Sequence, residues 1–355
     1  MSRSRTQTVK ERSAAHDAPK ARKLFLEDLA GDHRRLLIRA IERVLSTEVA
    51  EFTYAQIIDG LPTGDVAVNS RDQPYGYDQH LHPIYSAHDE LCPGTIEEAR
   101  QFRHEFQPEI LAFDSKLLHE YRACSPGSRG FKIRLIEMVA VAVHQIAAIL
   151  FDLNTSVHKD DGIIDWAPPK SETLYWRWHP DGPLPTLFKH PWYKDYDQYP
   201  RGVADMVGYW AETRILGGVV LFDRRDPNAE PRADPEAVYL HPDRANVTYR
   251  ICQLLPEQRQ ALLDFLLADD MPSGNILPLL ISNENTTRVD PEEPIQSTGI
   301  YRDLWERKNI PPSMSDIRLR DVVNRLEYPT MEDWRNAQRR ARDRGERSGR
   351  VRIEK

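Results

Sequence analysis

The sequence predicts a mainly helical α+β protein with a long helical hairpin, a small antiparallel sheet of three strands and a long ordered aromatic loop. Three observations carry that prediction. Residues 95–121 and 129–153 are long stretches of helical character, joined by the turn Cys124-Ser-Pro-Gly127. Short runs rich in β-branched and aromatic residues cluster between residues 214 and 253. Residues 166–200 hold four of the seven tryptophans, four tyrosines, one phenylalanine and seven prolines. So many prolines exclude a regular helix or central strand. So much aromatic area argues against a disordered linker. A long, irregular, ordered loop remains, of the kind that forms lids and binding loops.

Each element has its own signal. Residues 1–23 are polar and basic, and are expected to be a disordered tail. From Leu24 to Leu45, apolar residues recur with helical period at Leu29, Leu36, Leu37, Ala40, Ile41 and Leu45. Glu51 to Leu61 reads as a strand or a short helix, closed by Gly60 and Pro62. Residues 62–94 read as loop. Thr95 and Glu98 form a capping box for a helix running to Tyr121, kinked at Pro108. Arg129 to Leu153 gives the second arm of the hairpin.

Beyond the aromatic loop, Val203–Glu212 reads as a short helix. Arg214–Asp223 reads as a buried strand, with Gly217 and Gly218 marking a bulge or close backbone approach. Ala237–His241 and Asn246–Gln253 complete a three-stranded meander. Pro256–Leu267 is a helix with proline in its first turn. Further helices are expected at Ile300–Lys308, Ser315–Arg325 and Met331–Arg344. The sequence thus predicts one globular domain over residues 24–330, with a subdivision near 155–200 left open, and a basic tail at 331–355.

Charge and cysteines restrict the function classes. The net charge is −7, but residues 1–24 carry +5 and residues 331–355 carry +4, which leaves −16 on the body. An acidic body with basic tails is unlike a nucleic-acid-binding domain, whose basic patch lies on the fold. The basic run from Arg339 to Arg352 is interleaved with acids and reads as a solvated tail, with a nuclear address as the other reading. Cys92, Cys124 and Cys252 are scattered and form no CxxC pair, which fits a reducing compartment and supports neither a zinc ribbon nor a thioredoxin-like site. With no apolar leader at the N-terminus, a cytoplasmic location is expected. The apolar run Leu135–Leu153 contains Glu137, His144, Gln145 and Asp152, so it reads as a core helix and not as a membrane span. The chain has no GxSxG, P-loop, GxGxxG after a strand, or HExxH, so the common hydrolase, nucleotide-binding and zincin readings lose their main support.

Four groups of residues carry candidate chemistry. His80, His82 and His88, with Asp89 and Glu90, could hold a divalent metal, because two histidines and a carboxylate make a facial ligand set. Against that stand Pro83 and the loop-like flanks. Glu137 and His144 lie seven residues apart on one helix face, about 10.5 Å along the axis. They could serve one cavity as acid–base groups, while a structural Arg134–Glu137 pair and a satisfied core histidine are the plainer account. Tyr175, Trp176, Trp178 and Trp192 could line an aromatic ligand site, with His179 and His190 as polar contacts. The plainer account there is a wrapping segment packed on the helices. Asp160 and Asp161, following His158, could bind a cation or be solvated loop charge.

The segment Gly202–Phe222 resembles a set of uncharacterised proteins of filamentous fungi, as do Val247–Leu255, Ile300–Lys308 and His82–Glu90. The resemblance spans roughly residues 80–310. It implies a fungal source and a stand-alone fold, with a hint of secondary metabolism, and brings no catalytic residue. The expectation is therefore a protein binding a small apolar or aromatic metabolite. If it is an enzyme, it uses acid–base chemistry without an organic cofactor. The rival readings are a non-catalytic protein-interaction surface and a metal-dependent enzyme.

Overall fold

In the computed structural model, residues 22–69, 82–158, 161–231, 233–243, 247–269, 276–291, 293–308, 330–336 and 338–339 are described. Among them the chain order is β1 (Lys23–Phe25), α1 (Gly31–Leu45), α2 (Glu48–Asp59), α3 (Gly64–Asn69), α4 (Ile84–Ala87), α5 (Thr95–Glu105), β2 (Ala112–Asp114), α6 (Ser115–Ala123) and α7 (Arg129–Leu153). Then follow α8 (Thr173–Trp178), α9 (Val203–Leu216), β3 (Val219–Asp223), β4 (Val238–His241), β5 (Ile251–Gln253), α10 (Pro256–Leu267), β6 (Arg288–Val289), α11 (Ile295–Thr298) and β7 (Ile300–Tyr301).

The core is built around α7. Ser128 caps its start by accepting from the Phe131 amide, and Asn154 ends it in the left-handed region at φ 54°. Apolar residues surround the helix on every side, and 78% of its most apolar stretch is buried. By length and composition α7 could cross a membrane; here it is enclosed by α1, α2, α6, α9 and β3. Its main neighbour, α9, is buried almost throughout and stops at Gly217 (φ +99°), where a Cβ would come within 2.0 Å of the Leu279 carbonyl oxygen. The sheet has the order β6-β5-β4-β3-β7, antiparallel at every pairing, with β3 buried along its whole length. A separate two-stranded ribbon pairs β1 with β2, Leu24 opposite Phe113.

Several expectations are corrected. The sheet has five strands and not three, because β6 and β7 are two-residue edges too short to show an alternation. Ile300–Lys308 holds β7 and turns in place of a helix. The expected strand from Arg214 starts at Val219, because Gly217 is a left-handed helix stop and not a bulge, and Arg214–Leu216 finish α9. The helix expected over Thr95–Tyr121 ends at Glu105; Asp114 then caps a new helix by accepting from Lys116 and Leu117 amides. The hairpin is therefore α6 with α7. Gly94, not Thr95, is the N-cap of α5, and the Thr95 hydroxyl donates to the Cys92 carbonyl. Glu51–Leu61 falls in and just beyond helix α2, and the expected loop 62–94 contains α3 and α4. The aromatic stretch is irregular apart from α8 and a 3₁₀ turn at Tyr196–Gln198. Lys23 belongs to β1 while residues 1–21 lie outside the described residues, as does the expected helix Ser315–Arg325.

Candidate metal centre

Asp59, His88, Cys92 and His158 come together at the C-terminal end of α2, each offering one donor atom within 4.8 Å of the others. Local sequence explains how each arrives. Asp59 is the last residue of α2, which stops at Gly60 (φ +101°). No side chain fits on Gly60, because the Ser156 hydroxyl occupies the place of its Cβ. Ser156 donates to the Asp59 carbonyl and accepts from the His158 amide, which seats the stretch after α7 on the end of α2. His88 follows α4, and its carbonyl accepts from the Gly64 amide. Cys92 precedes α5, and its own amide donates to Asp59 Oδ2 at 2.8 Å.

The hydrogen bonds around the cluster fix the orientation of its rings. His88 Nδ1 lies 3.0 Å from the Pro62 carbonyl oxygen, which can only accept, so Nδ1 carries the proton. His158 Nδ1 lies 2.7 Å from Asp161 Oδ2 and donates to it likewise. Both rings then aim Nε2 inward. His88 Nε2 faces Asp59 Oδ2 at 3.1 Å, and His158 Nε2 faces Asp59 Oδ1 at 3.3 Å and Cys92 Sγ at 3.4 Å. Asp59 is buried, and its Oδ1 accepts no hydrogen bond. A carboxylate can only accept, so each Nε2 meets it through its own proton or through a shared cation. Asp59 also sits at the negative end of the α2 dipole, where an anion is disfavoured. A cation among the four donors would answer both the donorless Oδ1 and the unfavourable helix end.

Two of the spacings match a single tetrahedral ion. Metal–donor bonds of about 2.0–2.3 Å in a tetrahedron give donor–donor edges of about 3.3–3.6 Å. The two edges from His158 Nε2, 3.3 and 3.4 Å, fall on that range. The outward Nδ1 bonds to a backbone carbonyl and to a carboxylate are the outer-shell contacts that metal-bound histidines make. Cys92, His158 and Asp161 also stand in the order of nucleophile, base and orienting acid. That arrangement leaves His88 and Asp59 without a part. Burial and the Asp59 carboxylate push the Cys92 thiol up, the wrong direction for an attacking thiolate.

Of the expected metal residues that are described, His88 belongs to the centre and His82 does not. His82 turns away: its Nδ1 accepts from the Ile84 amide and its ring stands edge-on to Trp166 at 4.9 Å. Burial, with Lys189 nearby, lowers the His82 pKa to about 4. His80 lies outside the described residues. The divalent-metal expectation therefore meets a donor group in the fold, with three of its four members not expected.

Glu137 and His144 are buried in separate ionic networks. Arg134 and Arg224 both donate to Glu137. His144 Nδ1 lies 2.8 Å from Glu212 Oε1 and its Nε2 lies 3.1 Å from Asp205 Oδ1. Two carboxylates can only accept, so both ring nitrogens carry protons and His144 is an imidazolium. Burial opposes that charge, but Asp205 and Glu212 outweigh it and raise the His144 pKa. Glu212 Oε2 in turn accepts from Arg302 at 2.7 Å, and Asp205 Oδ2 from the Arg201 amide at 2.8 Å.

The aromatic candidates divide into two groups. Tyr175 packs on Trp176 and on His179 at α8, and the Trp176 indole donates to the Pro168 and Pro169 carbonyls. His190 and Trp192 pack on His241, beside Tyr193 and Tyr249. The side chain of Trp178 lies outside the described residues. A void of about 10 Å³ lies in the main core, lined by Ile136, Val139, Leu240, Leu262 and other apolar side chains and by none of these rings. No protein-family model, curated protein or solved structure matches this chain.

Proposed function

We propose that this chain is a metalloprotein that holds one divalent transition-metal ion between Asp59, His88, Cys92 and His158. One observation carries the reading: two imidazoles whose Nδ1 atoms are committed outward turn Nε2 toward the two oxygens of the buried Asp59 carboxylate, His158 also toward the Cys92 thiol, and Asp59 Oδ1 accepts no hydrogen bond. The mixed nitrogen, sulfur and oxygen donor set suits zinc, which borderline ligands favour. A thiolate ligand also suits the reducing cytoplasm that the cysteine pattern suggests.

Elemental analysis of the purified full-length protein tests the reading. One ion per chain is expected, lost on dialysis against a strong chelator and regained on adding zinc chloride. His88→Ala and Cys92→Ser should each lower retained metal at least tenfold, and His82→Ala should leave it unchanged. Metal-free protein that takes up no zinc, or equal loss with His82→Ala, overturns it.

A further inference from the structure

We infer that the ion is a closed four-ligand zinc site whose work is structural: it clasps the chain leaving α7 to the C-terminal end of α2. This rests on the metal reading above and gives the site its role.

Coordination comes first. Four protein donors complete a tetrahedron, whereas catalytic zinc keeps a position for water or substrate. Asp59 and His88 are buried, and Cys92 and His158 are half-buried. The sequence span comes second. The donors belong to three stretches: the end of α2, the connection between α4 and α5, and the connection after α7. One ion therefore closes the interval from 59 to 88 and the interval from 92 to 158 at once.

The third observation is how little apolar contact holds the stretch after α7 to the end of α2. The end of α2 and the start of α5 pack together in the main core, whereas the stretch after α7 contributes Ile163 to a satellite cluster with Leu61 and Ile84. After α7 the chain reverses through left-handed Asn154 and leaves Val157 72% exposed. It turns inward at Ser156 and His158, and then supplies Asp161 and Ile163 to the site and the cluster. Three buried side chains do little to offset the chain entropy of ordering the connection after α7. A site whose ligands come from distant segments links binding to folding, because the unfolded chain holds no formed site. The aromatic stretch starts at Trp166, directly beyond the clasp, so zinc also sets where that stretch begins.

Hydrogen exchange of the full chain, read by mass spectrometry, tests the clasp. Protein stripped by chelator is compared with the same protein carrying one equivalent of zinc; cobalt(II) in a parallel sample reports coordination through its visible spectrum. Amides in 86–95 and 156–166 should exchange at least tenfold more slowly with zinc, with α7 and β3 unchanged. Cobalt should give the intense four-coordinate spectrum with a thiolate charge-transfer band. Asp161→Ala keeps all four donors and removes only the orienting carboxylate. Its zinc affinity should fall about 10–100-fold, with full protection regained at saturating zinc.

Zinc bound at one per chain with unchanged exchange overturns the clasp and leaves the metal reading standing. A five- or six-coordinate cobalt spectrum overturns the closed site in the same way. Protection in stripped protein equal to that with zinc also overturns the clasp. Absence of any zinc or cobalt binding overturns both.

Discussion

Replacing Gly208 by alanine should destabilise the protein although alanine is the better helix former. Gly208 lies within α9, and a Cβ there would stand 2.5 Å from His144 Cδ2 and Nε2 and 2.6 Å from Cγ. Ordinary carbon contacts need about 3.5–4.0 Å, so the ring must retreat by about 1 Å. It has no direction to retreat in without stretching the 2.8 Å bond to Glu212 or the 3.1 Å bond to Asp205. Overpacking a core costs about 1–3 kcal/mol. Breaking a buried ion pair costs about 3–5 kcal/mol, of which a displaced ring loses part. Helix propensity returns about 1 kcal/mol. The net loss is about 2–5 kcal/mol.

The signature that isolates His144 is its pH dependence. Its pKa is raised in the folded state, so its contribution is fully present below about 6.5, the unfolded value, and is lost as pH rises through the folded pKa. Asp205 is shifted the other way: burial opposes its charge, but His144 and Arg201 lower its pKa, so its contribution fades as pH falls through the folded pKa. The gap between wild type and Gly208→Ala should therefore be widest between about pH 4 and 6.5 and narrow above. Urea titrations across pH 4–9 read it directly. A variant as stable as the wild type, or a gap that does not vary with pH, refutes the imidazolium assignment.

Three further predictions follow from the same geometry. Gly217→Ala combines a left-handed backbone at φ +99° with a Cβ 2.0 Å from the Leu279 oxygen, so thermal unfolding should show a loss of more than about 2 kcal/mol; an unchanged melting temperature would contradict the turn. Glu137→Gln keeps the shape but leaves Arg134 and Arg224 facing a neutral amide, and should cost about 3–5 kcal/mol in denaturant unfolding, against nothing measurable if the pair is solvated. Zinc should slow alkylation of Cys92 by iodoacetamide at least tenfold while half-buried Cys124 reacts at its own rate throughout, and equal slowing of both thiols would remove Cys92 from the ligand set.

The sequence reveals the helices best where period and caps agree. The arm from Arg129 to Leu153 has the predicted bounds, because an apolar run is framed by a Ser128 cap and an Asn154 stop. The helix at Pro256–Leu267 is equally legible from its first-turn proline. The strand before Phe222 is misread at its start because Ile215 and Leu216 are apolar whether they end a helix or begin a strand, and Gly217 suits both. The metal centre is half legible. His88 and the acids after His158 are visible as candidates in a loop of polar residues. Asp59 carries no signal, since it looks like an ordinary helix-terminal acid, and Cys92 lacks the paired cysteine that marks zinc motifs. The centre is assembled by tertiary contacts between intervals of about 30 and 66 residues, and no spacing rule along the chain reports such a closure.

The enclosure of α7 has a consequence for synthesis. The helix is complete at Leu153, but its most extensive neighbour, α9, and the strand β3 that completes its cover end only at Asp223. At about 5–20 residues per second, a ribosome needs roughly 4–14 s to deliver those 70 residues. For that interval a helix apolar enough to cross a bilayer stands with much of its circumference bare. Shortened chains that stop before Asp223 should therefore associate with chaperones or membranes instead of accumulating as free fragments.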